Sequence, residues 1–257
     1  MRKAMMLIYG STAYAAFLAA FLYAVGFVAN VGVPKGIDTG APVPYTEAIL
    51  VNALLLGLFA VQHSGMARKG FKKVLTQLVP PEMERSTFVF ATCAVLGLMY
   101  WQWRPMTDTV WSFESFAGQA AMWTICAAGW AIVFLATVMV HHFELFGLRQ
   151  TWLAFIGKRY TPIGFRAPGF YSVVRHPIMV GFLLAFWATP TMTAGHLFFS
   201  VMTTGYIFFA VKLLEERDLI RELGDDYRSY MREVPGFVPS LTGRRPRPVV
   251  AAAPSGD

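Results

Sequence analysis

Charged residues are scarce in this sequence. Asp, Glu, Lys and Arg make up 14% of the 257 residues, whereas hydrophobic residues make up 56% and aromatic residues 15%. Soluble domains carry about 25% charged residues, so this composition excludes an ordinary soluble domain. We therefore expect an all-α fold, namely a polytopic bundle of membrane helices.

Cysteine is almost absent as well. The chain has 2 cysteines, Cys93 and Cys126, and each lies within an apolar run. They exclude a disulfide framework, and we expect both to be packing residues. The sequence also lacks an HExxH motif and a cysteine cluster, so no metal site is predicted. Neither a glycine-rich phosphate loop nor a Ser/His/Asp arrangement is found.

Acidic residues are outnumbered, with 15 Asp and Glu against 22 Lys and Arg. An excess of positive charge can indicate nucleic-acid binding, but these basic residues cluster between apolar segments instead of forming a stripe with exposed aromatic residues. We interpret the excess as the positive-inside signal of a membrane protein and predict no nucleic-acid partner.

Four apolar runs are close to the ~20 residues that a helix needs to cross a bilayer. They cover about residues 5–31, 45–66, 87–103 and 118–140. The first run is much longer than the ~7–15 residues of a signal-peptide core, so we expect a retained span. Cleavage near Ala29 is the alternative.

The connectors between these runs alternate in charge. Residues 67–86 and 141–176 are basic, whereas loops 32–44 and 104–117 have little positive charge. Because cytoplasmic loops carry an excess of Lys and Arg, we predict that both basic connectors and both termini are cytoplasmic.

A helical hairpin is predicted after Pro177. Two apolar stretches, 178–189 and 196–214, flank Thr189-Pro190-Thr191. The first stretch is short for a full crossing, so the hairpin need not reach the far surface. Four spans plus this hairpin give five to six membrane helices.

The remaining segments complete the predicted domain organisation. Gly224 is expected to stop the helix that leaves the membrane, and residues 225–233 to form a short amphipathic helix. We predict N-terminal membrane helices over 1–140, a core over 141–240, and a disordered tail over 241–257.

The most distinctive stretch runs from Tyr171 to Ile178 with the sequence YSVVRHPI. Proline fits the first turn of a helix, so Arg175 and His176 are predicted at the mouth of a membrane helix. After the hairpin, Glu215 and Glu216 return to the same membrane face. Such opposed charges suit a ligand that carries both charges and an apolar group. For each pair the alternative is a solvated interfacial anchor.

A second polar cluster has the sequence HHFELFGLRQ and begins at His141. If this stretch is one helix, His142, Phe146 and Arg149 share one face. His141 and Glu144 then pair on a neighbouring face. The first face offers a base beside a fixed cation. The alternative is a helix end whose polar groups lie among lipid headgroups.

His63 lies near the cytoplasmic end of the second predicted span. Ionisable residues within membrane helices are functional candidates by default. A packed, hydrogen-bonded histidine and a site residue are equally open at this position.

The order and spacing of several residues between about 170 and 239 resemble the isoprenylcysteine carboxyl methyltransferase and phospholipid methyltransferase superfamily. They are Arg175-His176-Pro177, Gly181, Trp187, Pro190, Glu215-Glu216, Leu219, Gly224-Asp225-Asp226-Tyr227 and Val234-Pro235. Four upstream segments are similar to a narrower branch, the methanethiol S-methyltransferases, which make dimethyl sulfide. These segments are QHS at 62–64, ERST at 84–87, WQWRP at 101–105 and HFELFGLRQ at 142–150. His141 departs from that pattern, which has Asn there.

The resemblance implies an integral enzyme of the bacterial cell membrane, with S-adenosylmethionine as methyl donor and methanethiol as acceptor. The donor would lie over the cytoplasmic mouth of the hairpin. The basic and imidazole side chains would hold its methionine or adenosine portion, and one of two adjacent glutamates its ribose hydroxyls or amino group. The residues carried over to this site are Tyr171, Arg175, His176, Pro177, Glu215 and Glu216.

The thiol needs a base in such a reaction. Thiolate is the nucleophile, and a thiol with a pKa of ~8.5 is mostly protonated at neutral pH. We hypothesise that His142 removes the proton, while Arg149 stabilises the thiolate or orients the donor. Glu144 would position an imidazole, and His141 is a second catalytic candidate.

A small apolar thiol can enter such a site from the lipid. His63 and Phe146 are the predicted substrate-binding residues.

Two other functions stay open. One is a related methyltransferase that acts on a lipid amine or a prenylated cysteine carboxylate. The other is a haem-binding accessory protein of nitrogen-oxide metabolism, with His63 and His142 as axial ligands.

Overall fold

The computed structural model describes residues 1–239. The predicted disordered tail, residues 241–257, lies outside the described residues. In chain order the elements are α1 (Arg2–Ala29), α2 (Tyr45–Met66), α3 (Lys69–Leu78), α4 (Glu84–Gln102), β1 (Thr109–Ser112), α5 (Phe116–Met139), α6 (His142–Leu145), α7 (Leu148–Phe155), α8 (Pro177–Trp187), β2 (Thr191–Thr193), α9 (Ala194–Ala210), α10 (Glu216–Leu223) and α11 (Asp225–Glu233).

Four helices within residues 1–239 are long and apolar enough to cross a membrane. Three of them, α1, α2 and α5, match predicted spans to within a few residues. The fourth runs continuously for 30 residues from Ala194 to Leu223, through a π-helical turn at Val211–Glu215. The 19-residue α4 takes the place of the remaining predicted span, although it is not among the four. The predicted all-α membrane architecture is confirmed.

The chain divides into two compact units. The first contains residues 1–123, 143–160 and 189–203, and the second contains 124–142, 161–188 and the described residues from 204 onward.

Helix α4 lies at the centre of the first unit, where it contacts both α1 and α2. Helix α7 contacts α1, and Gly10 permits this approach because a Cβ there would lie 2.0 Å from Oγ1 of the buried Thr151. Ala13, Phe88 and Val89 form a buried apolar cluster between α1 and α4.

The first unit also contains a two-stranded antiparallel ribbon that hydropathy does not predict. β1 pairs with β2, and Trp111 lies opposite Met192. The ribbon continues as the N–H of Gly195 donates to the carbonyl oxygen of Met106 at 2.8 Å. These residues are far apart in sequence, so the pairing ties the tip of the hairpin to the segment that follows α4.

The hairpin tip lies beside the loop that follows α1 as well. The hydroxyl of Thr193 donates to Oδ1 of Asp38 at 2.5 Å. Loops 32–44 and 104–117 and the hairpin tip therefore share one end of the first unit. That the hairpin need not reach the far membrane surface stays a prediction, and its tip is bonded to both loops.

A helix replaces most of the predicted basic connector between α2 and α4. Helix α3 contacts both of these neighbours, and a 3₁₀ turn at Pro81–Met83 leads into α4. Four basic residues lie in and just before α3, so its apolar residues do not form a long hydrophobic run. The helix was therefore not predicted from hydropathy.

In the second unit, α5 and α8 approach each other at glycines. A Cβ on Gly181 would lie 2.7 Å from the carbonyl oxygen of Gly129, and one on Gly129 would lie 2.6 Å from the backbone nitrogen of Ala185. Trp187 Nε1 donates to Thr204 Oγ1 at 2.9 Å, which joins α8 to α9. Small residues at a helix crossing let the backbones come close in a membrane.

The C-terminal helices also match the sequence prediction. Helix α10 ends at Leu223, and Gly224 after it has a φ of +59°, a conformation that suits glycine because it has no side chain. The amphipathic α11 follows, and its buried residues Tyr227 and Tyr230 pack with Val234.

Candidate functional site

Four ionisable side chains converge at the start of α8 in the second unit. Oε1 of Glu216 accepts a hydrogen bond from Arg175 Nη2 at 2.6 Å and lies 3.2 Å from His176 Nε2. Its Oε2 lies 3.4 Å from Lys212 Nζ. Arg175, His176 and Glu216 are buried. Buried charges need close partners to offset their desolvation, so these two predicted pairs form one cluster rather than separate solvated anchors.

The local sequence explains how the cluster forms. Pro177 is the first residue of α8 and His176 its N-cap, in agreement with the preference of proline for a first helical turn. On the other side, the π-helical turn Val211–Glu215 precedes Glu216. A π turn holds one more residue than an α turn. Both glutamates reach one imidazole, because Glu215 Oε1 lies 3.6 Å from His176 Nδ1.

The two glutamates differ in exposure. The side chain of Glu215 is 44% exposed, whereas that of Glu216 is 6% exposed. Burial first and the charge of Glu215 second raise the pKa of the half-buried Tyr171. The accessible carboxylate of Glu215 is therefore available to a ligand, while Glu216 is engaged by its protein partners.

A segment after α11 runs across this cluster. We name residues 234–237 the C-terminal strap. The N–H of Arg175 donates to the carbonyl oxygen of Pro235 at 2.8 Å, and the N–H of His176 donates to that of Gly236 at 3.1 Å. The strap thus pairs with the backbone of the motif itself.

Side chains reinforce the strap. Arg175 Nη1 donates to the carbonyl oxygen of Val234 at 2.5 Å. The ring of Phe237 lies 5.5 Å from the His176 ring and 4.7 Å from the Phe208 ring. The Arg175 guanidinium is consequently shared between Glu216 and the strap, which makes it a structural centre of the cluster.

The stretch expected to form one helix from His141 is broken twice. His141 itself is exposed and has a φ of +69°, and Gly147 has a φ of +84° between α6 and α7. The expected shared face of His142, Phe146 and Arg149 is therefore wrong, because a 3.6-residue period holds only within one helix.

His142 is buried at the start of α6 in the second unit. Thr137 Oγ1 donates its single hydrogen to the carbonyl oxygen of Phe134 at 2.6 Å. The same oxygen lies 2.7 Å from His142 Nδ1, so Nδ1 must carry the proton and donate it to Thr137. Burial lowers the pKa of His142. The ring is therefore neutral at pH 7, with the lone pair on Nε2.

Glu144 orients a guanidinium in the first unit. Its Oε2 accepts a hydrogen bond from Arg149 Nη1 at 2.7 Å, and its Oε1 accepts one from the Tyr160 hydroxyl. The Arg149 guanidinium also lies 5.5 Å from the Tyr160 ring centroid. Burial first and this hydrogen bond second raise the pKa of Tyr160 to about 12. The expected helical pairing of Glu144 with His141 does not arise, because His141 is outside the helix.

The two predicted substrate residues also lie in the first unit. The His63 ring lies 5.1 Å from the rings of both Phe59 and Phe88, and its buried Nδ1 has no hydrogen-bond partner among the described residues. Phe146 stacks on Phe17 of α1 with ring centroids 3.5 Å apart. His63 thus combines an apolar surrounding with an unused polar atom, whereas Phe146, in the turn between α6 and α7, packs against α1.

Sequence reasoning missed several partners of the predicted residues. They are Thr137, which fixes the His142 tautomer, Tyr160, which holds Glu144, and Arg85, whose Nε donates to the carbonyl oxygen of Leu145 at 2.7 Å. Arg85 belonged to an upstream segment of the resemblance, which was the one available signal. Tyr160 lies in a loop without periodicity.

Within residues 1–239, no group of three or more His, Cys, Asp or Glu side chains is placed to hold a metal ion.

Known proteins provide an independent comparison. The chain is 53% identical over 239 residues to methanethiol S-methyltransferase of Mycobacterium tuberculosis, which covers 93% of this chain and 98% of the relative. It is 49% identical over 255 residues to methanethiol S-methyltransferase 2 of Bradyrhizobium diazoefficiens, with 95% and 96% covered. It is 45% identical over 239 residues to methanethiol S-methyltransferase of Crocosphaera subtropica, with 93% of each chain covered.

Two further comparisons give no match. No family model matches the chain, and no solved structure resembles it significantly. The relatives are nonetheless matched over almost their whole lengths, and the four apolar helices indicate a membrane protein. From identity of this extent we conclude that the chain is an integral-membrane methyltransferase and belongs to the methanethiol S-methyltransferase family.

Proposed function

We propose that this protein transfers a methyl group from S-adenosylmethionine to methanethiol and so produces dimethyl sulfide. The observation that carries the proposal is the 45–53% identity to enzymes of that name over nearly the whole chain. The buried charged cluster at the start of α8 supports it, because it offers both signs of charge beside an apolar hairpin.

The residues around Glu215 fit an S-adenosylmethionine molecule. The donor supplies an electrophilic methyl group on a positively charged sulfur when it is bound. Glu215 has an exposed carboxylate that can accept hydrogen bonds from ribose hydroxyls or an ammonium group. The ring of the half-buried Tyr171, six residues before Pro177 in the same motif, is proposed as a face that a purine can stack on. We therefore assign donor contact to Glu215 and Tyr171.

Arg175 and Glu216 have a different role in this proposal. Their side chains are bonded to each other, and Arg175 holds the strap as well. We assign both as positioning residues, which fix the His176 ring from one side while Glu215 flanks it from the other. Pro177 shapes the start of the helix under this ring.

His142 removes the thiol proton in the proposed reaction. Its neutral ring carries the proton on Nδ1, so Nε2 is the basic nitrogen. With the donor bound, the thiolate sulfur would take the methyl group of its sulfonium, and the His142 imidazole holds the thiol proton until it is released to water. The positive charge of the sulfonium disappears in this displacement, which favours a dry site.

Arg149 is assigned to stabilise the thiolate or orient the donor, with Glu144 and Tyr160 holding its guanidinium. His63 is assigned to the thiol, since its buried Nδ1 has no hydrogen-bond partner among the described residues and is surrounded by apolar rings. His141 is the least supported of the catalytic candidates, because its side chain is exposed.

The test is methyl transfer by purified protein in lipid nanodiscs. We expect labelled S-adenosylmethionine and methanethiol to yield labelled dimethyl sulfide, detected by gas chromatography. Hydrogen sulfide and phosphatidylethanolamine serve as competing acceptors, and preferential methylation of the lipid amine would contradict the proposal. Full turnover by both His142→Ala and Arg149→Ala would refute the assigned roles while leaving the reaction itself intact.

A further inference from the structure

Helix α3 presents an apolar face that the protein does not cover. Phe71, Val74 and Leu78 are 43%, 59% and 80% exposed, and Leu75 beside them is half-buried. Their spacing of three and four residues places all of them on one side of the helix. A face of this kind in water would be unfavourable, so another apolar phase must contact it.

The opposite face of α3 is cationic. Lys69 and Lys73 are exposed, and Lys72 lies 3.9 Å from Glu84 of α4. Two lysines therefore project from the helix without an acidic partner on the same helix, since α3 has no Asp or Glu. A short helix with lysines opposite an apolar face is typical of segments that lie in a membrane interface.

The position of α3 fits such a location. It begins at Lys69, directly after α2 ends at Met66, and α2 is one of the candidate membrane spans. It also contacts both α2 and α4. The helix is thus held at the end of a span, which is the level of the lipid headgroups.

We propose that α3 lies in the membrane interface and that Lys69 and Lys73 bind the headgroups of anionic phospholipids. Charge complementarity selects this occupant over neutral lipid. The protein has a net charge of +7, and each lysine near an anionic surface strengthens binding about fivefold. The apolar face is covered by acyl chains, and the lysines lie among phosphate groups.

The first experiment measures the depth of the helix. Nitroxide labels are placed at Val74→Cys on the apolar face and, as a control, at Gln77→Cys on the polar face. Both are made in the full chain with Cys93→Ala and Cys126→Ala. In vesicles containing phosphatidylglycerol we expect the Val74 label to be more accessible to oxygen than to a soluble nickel chelate, and the Gln77 label to show the reverse. Equal chelate accessibility would overturn the proposal, as would spin–spin broadening at Val74, which would indicate a second copy on this face.

The second experiment measures lipid selectivity. Binding of spin-labelled phosphatidylglycerol and phosphatidylcholine is compared between wild type and Lys69→Gln/Lys73→Gln. We expect the preference for phosphatidylglycerol to fall ~25-fold at low salt, the product of two fivefold effects. The control is Arg228→Gln/Arg232→Gln in α11, which removes the same charge and should leave the preference unchanged. An equal loss in both variants, or no loss in either, would overturn the proposal.

Discussion

A single hydroxyl determines which nitrogen of His142 can act as a base. Thr137 donates to the Phe134 carbonyl oxygen and accepts from Nδ1 of His142, and so fixes the neutral ring in one tautomer. A threonine five residues before a histidine matches no known motif, so this hydrogen bond could not be predicted from the sequence. It forms because the chain breaks out of α5 before His142.

Removing that hydroxyl should reduce turnover. We expect Thr137→Val to lower kcat ~10-fold or more, because general-base catalysis contributes ~10²–10⁴-fold and depends on ring orientation. Thr137→Ser keeps the hydroxyl and should retain most activity. In wild type, kcat should fall only below pH 6.5, because the lowered pKa of His142 keeps the base deprotonated above that value. Equal activity of Val and Ser variants across this pH range would contradict the tautomer argument.

The adjacent glutamates should separate donor binding from stability. Glu215→Gln is expected to raise the KM for S-adenosylmethionine about tenfold, the loss of a charged hydrogen bond, without changing Tm because its side chain is 44% exposed. Glu216→Gln leaves Arg175 buried without its carboxylate, which costs ~3 kcal/mol of folding free energy. Thermal unfolding and calorimetric titration of the donor distinguish the two. A lowered Tm for Glu215→Gln would reverse the assignment.

Among the elements, the C-terminal strap organises the donor residues through backbone carbonyl groups. Three of its carbonyl oxygens accept hydrogen bonds from Arg175 or His176. Every residue type has a backbone carbonyl group, so the sequence could not predict these hydrogen bonds. Only Val234 and Pro235, which belong to the resemblance, pointed to this segment. The basic and acidic pairs, by contrast, could be matched across the hairpin because charge identifies their partners.

Removing the aromatic ring at the end of the strap should weaken donor binding. Phe237→Ala removes the ring that lies beside His176 and Phe208, so we expect the KM for S-adenosylmethionine to rise ~5-fold, as loss of an aromatic pair of ~1 kcal/mol implies, with little change in kcat. Val238→Ala is the control, since that side chain is 77% exposed. The same rise in both variants would show that the ring contact is not responsible.

The crossing of α5 and α8 should not tolerate a methyl group. A Cβ on Gly181 would lie 2.7 Å from a backbone oxygen of Gly129 and 2.8 Å from Val133, and backbone cannot move aside as a flexible side chain can. We expect Gly181→Ala to destabilise the protein by ~1–3 kcal/mol, measured as a lower Tm. Gly205→Ala in α9 meets no atom within 4 Å and should leave Tm unchanged or higher. A Tm for Gly181→Ala equal to that of wild type would contradict close backbone packing.

For the whole molecule, hydropathy predicted most spans because length and apolarity are local properties. Helices α1, α2 and α5 lie where the apolar runs indicated. The ribbon of β1 and β2 was missed since its strands are distant in sequence and too short to show alternation. The break at His141 was missed because a positive φ is uncommon for any residue other than glycine, although histidine is one of the types that adopt it more often.

Labelling of intact cells should establish the orientation. Because the basic connectors are expected to be cytoplasmic, single cysteines at Ala41 and Glu114 should react with a membrane-impermeant maleimide from outside. Cysteines at Lys73 and Lys158 should react only after permeabilisation. The native Cys93 and Cys126 are replaced by alanine in each variant. The opposite pattern would place the candidate site outside the cell.

The brevity of α8 has a consequence for the lipid around the protein. Its 11 residues rise about 16 Å, roughly half of a ~30 Å hydrocarbon core. The residues beyond it lead into β2, and pairing with β1 satisfies the backbone groups of this strand within the protein. Met192 and Thr193 are accordingly buried. We therefore expect the protein itself to absorb the hydrophobic mismatch at this position, so that the surrounding bilayer need not thin to meet a half-length helix.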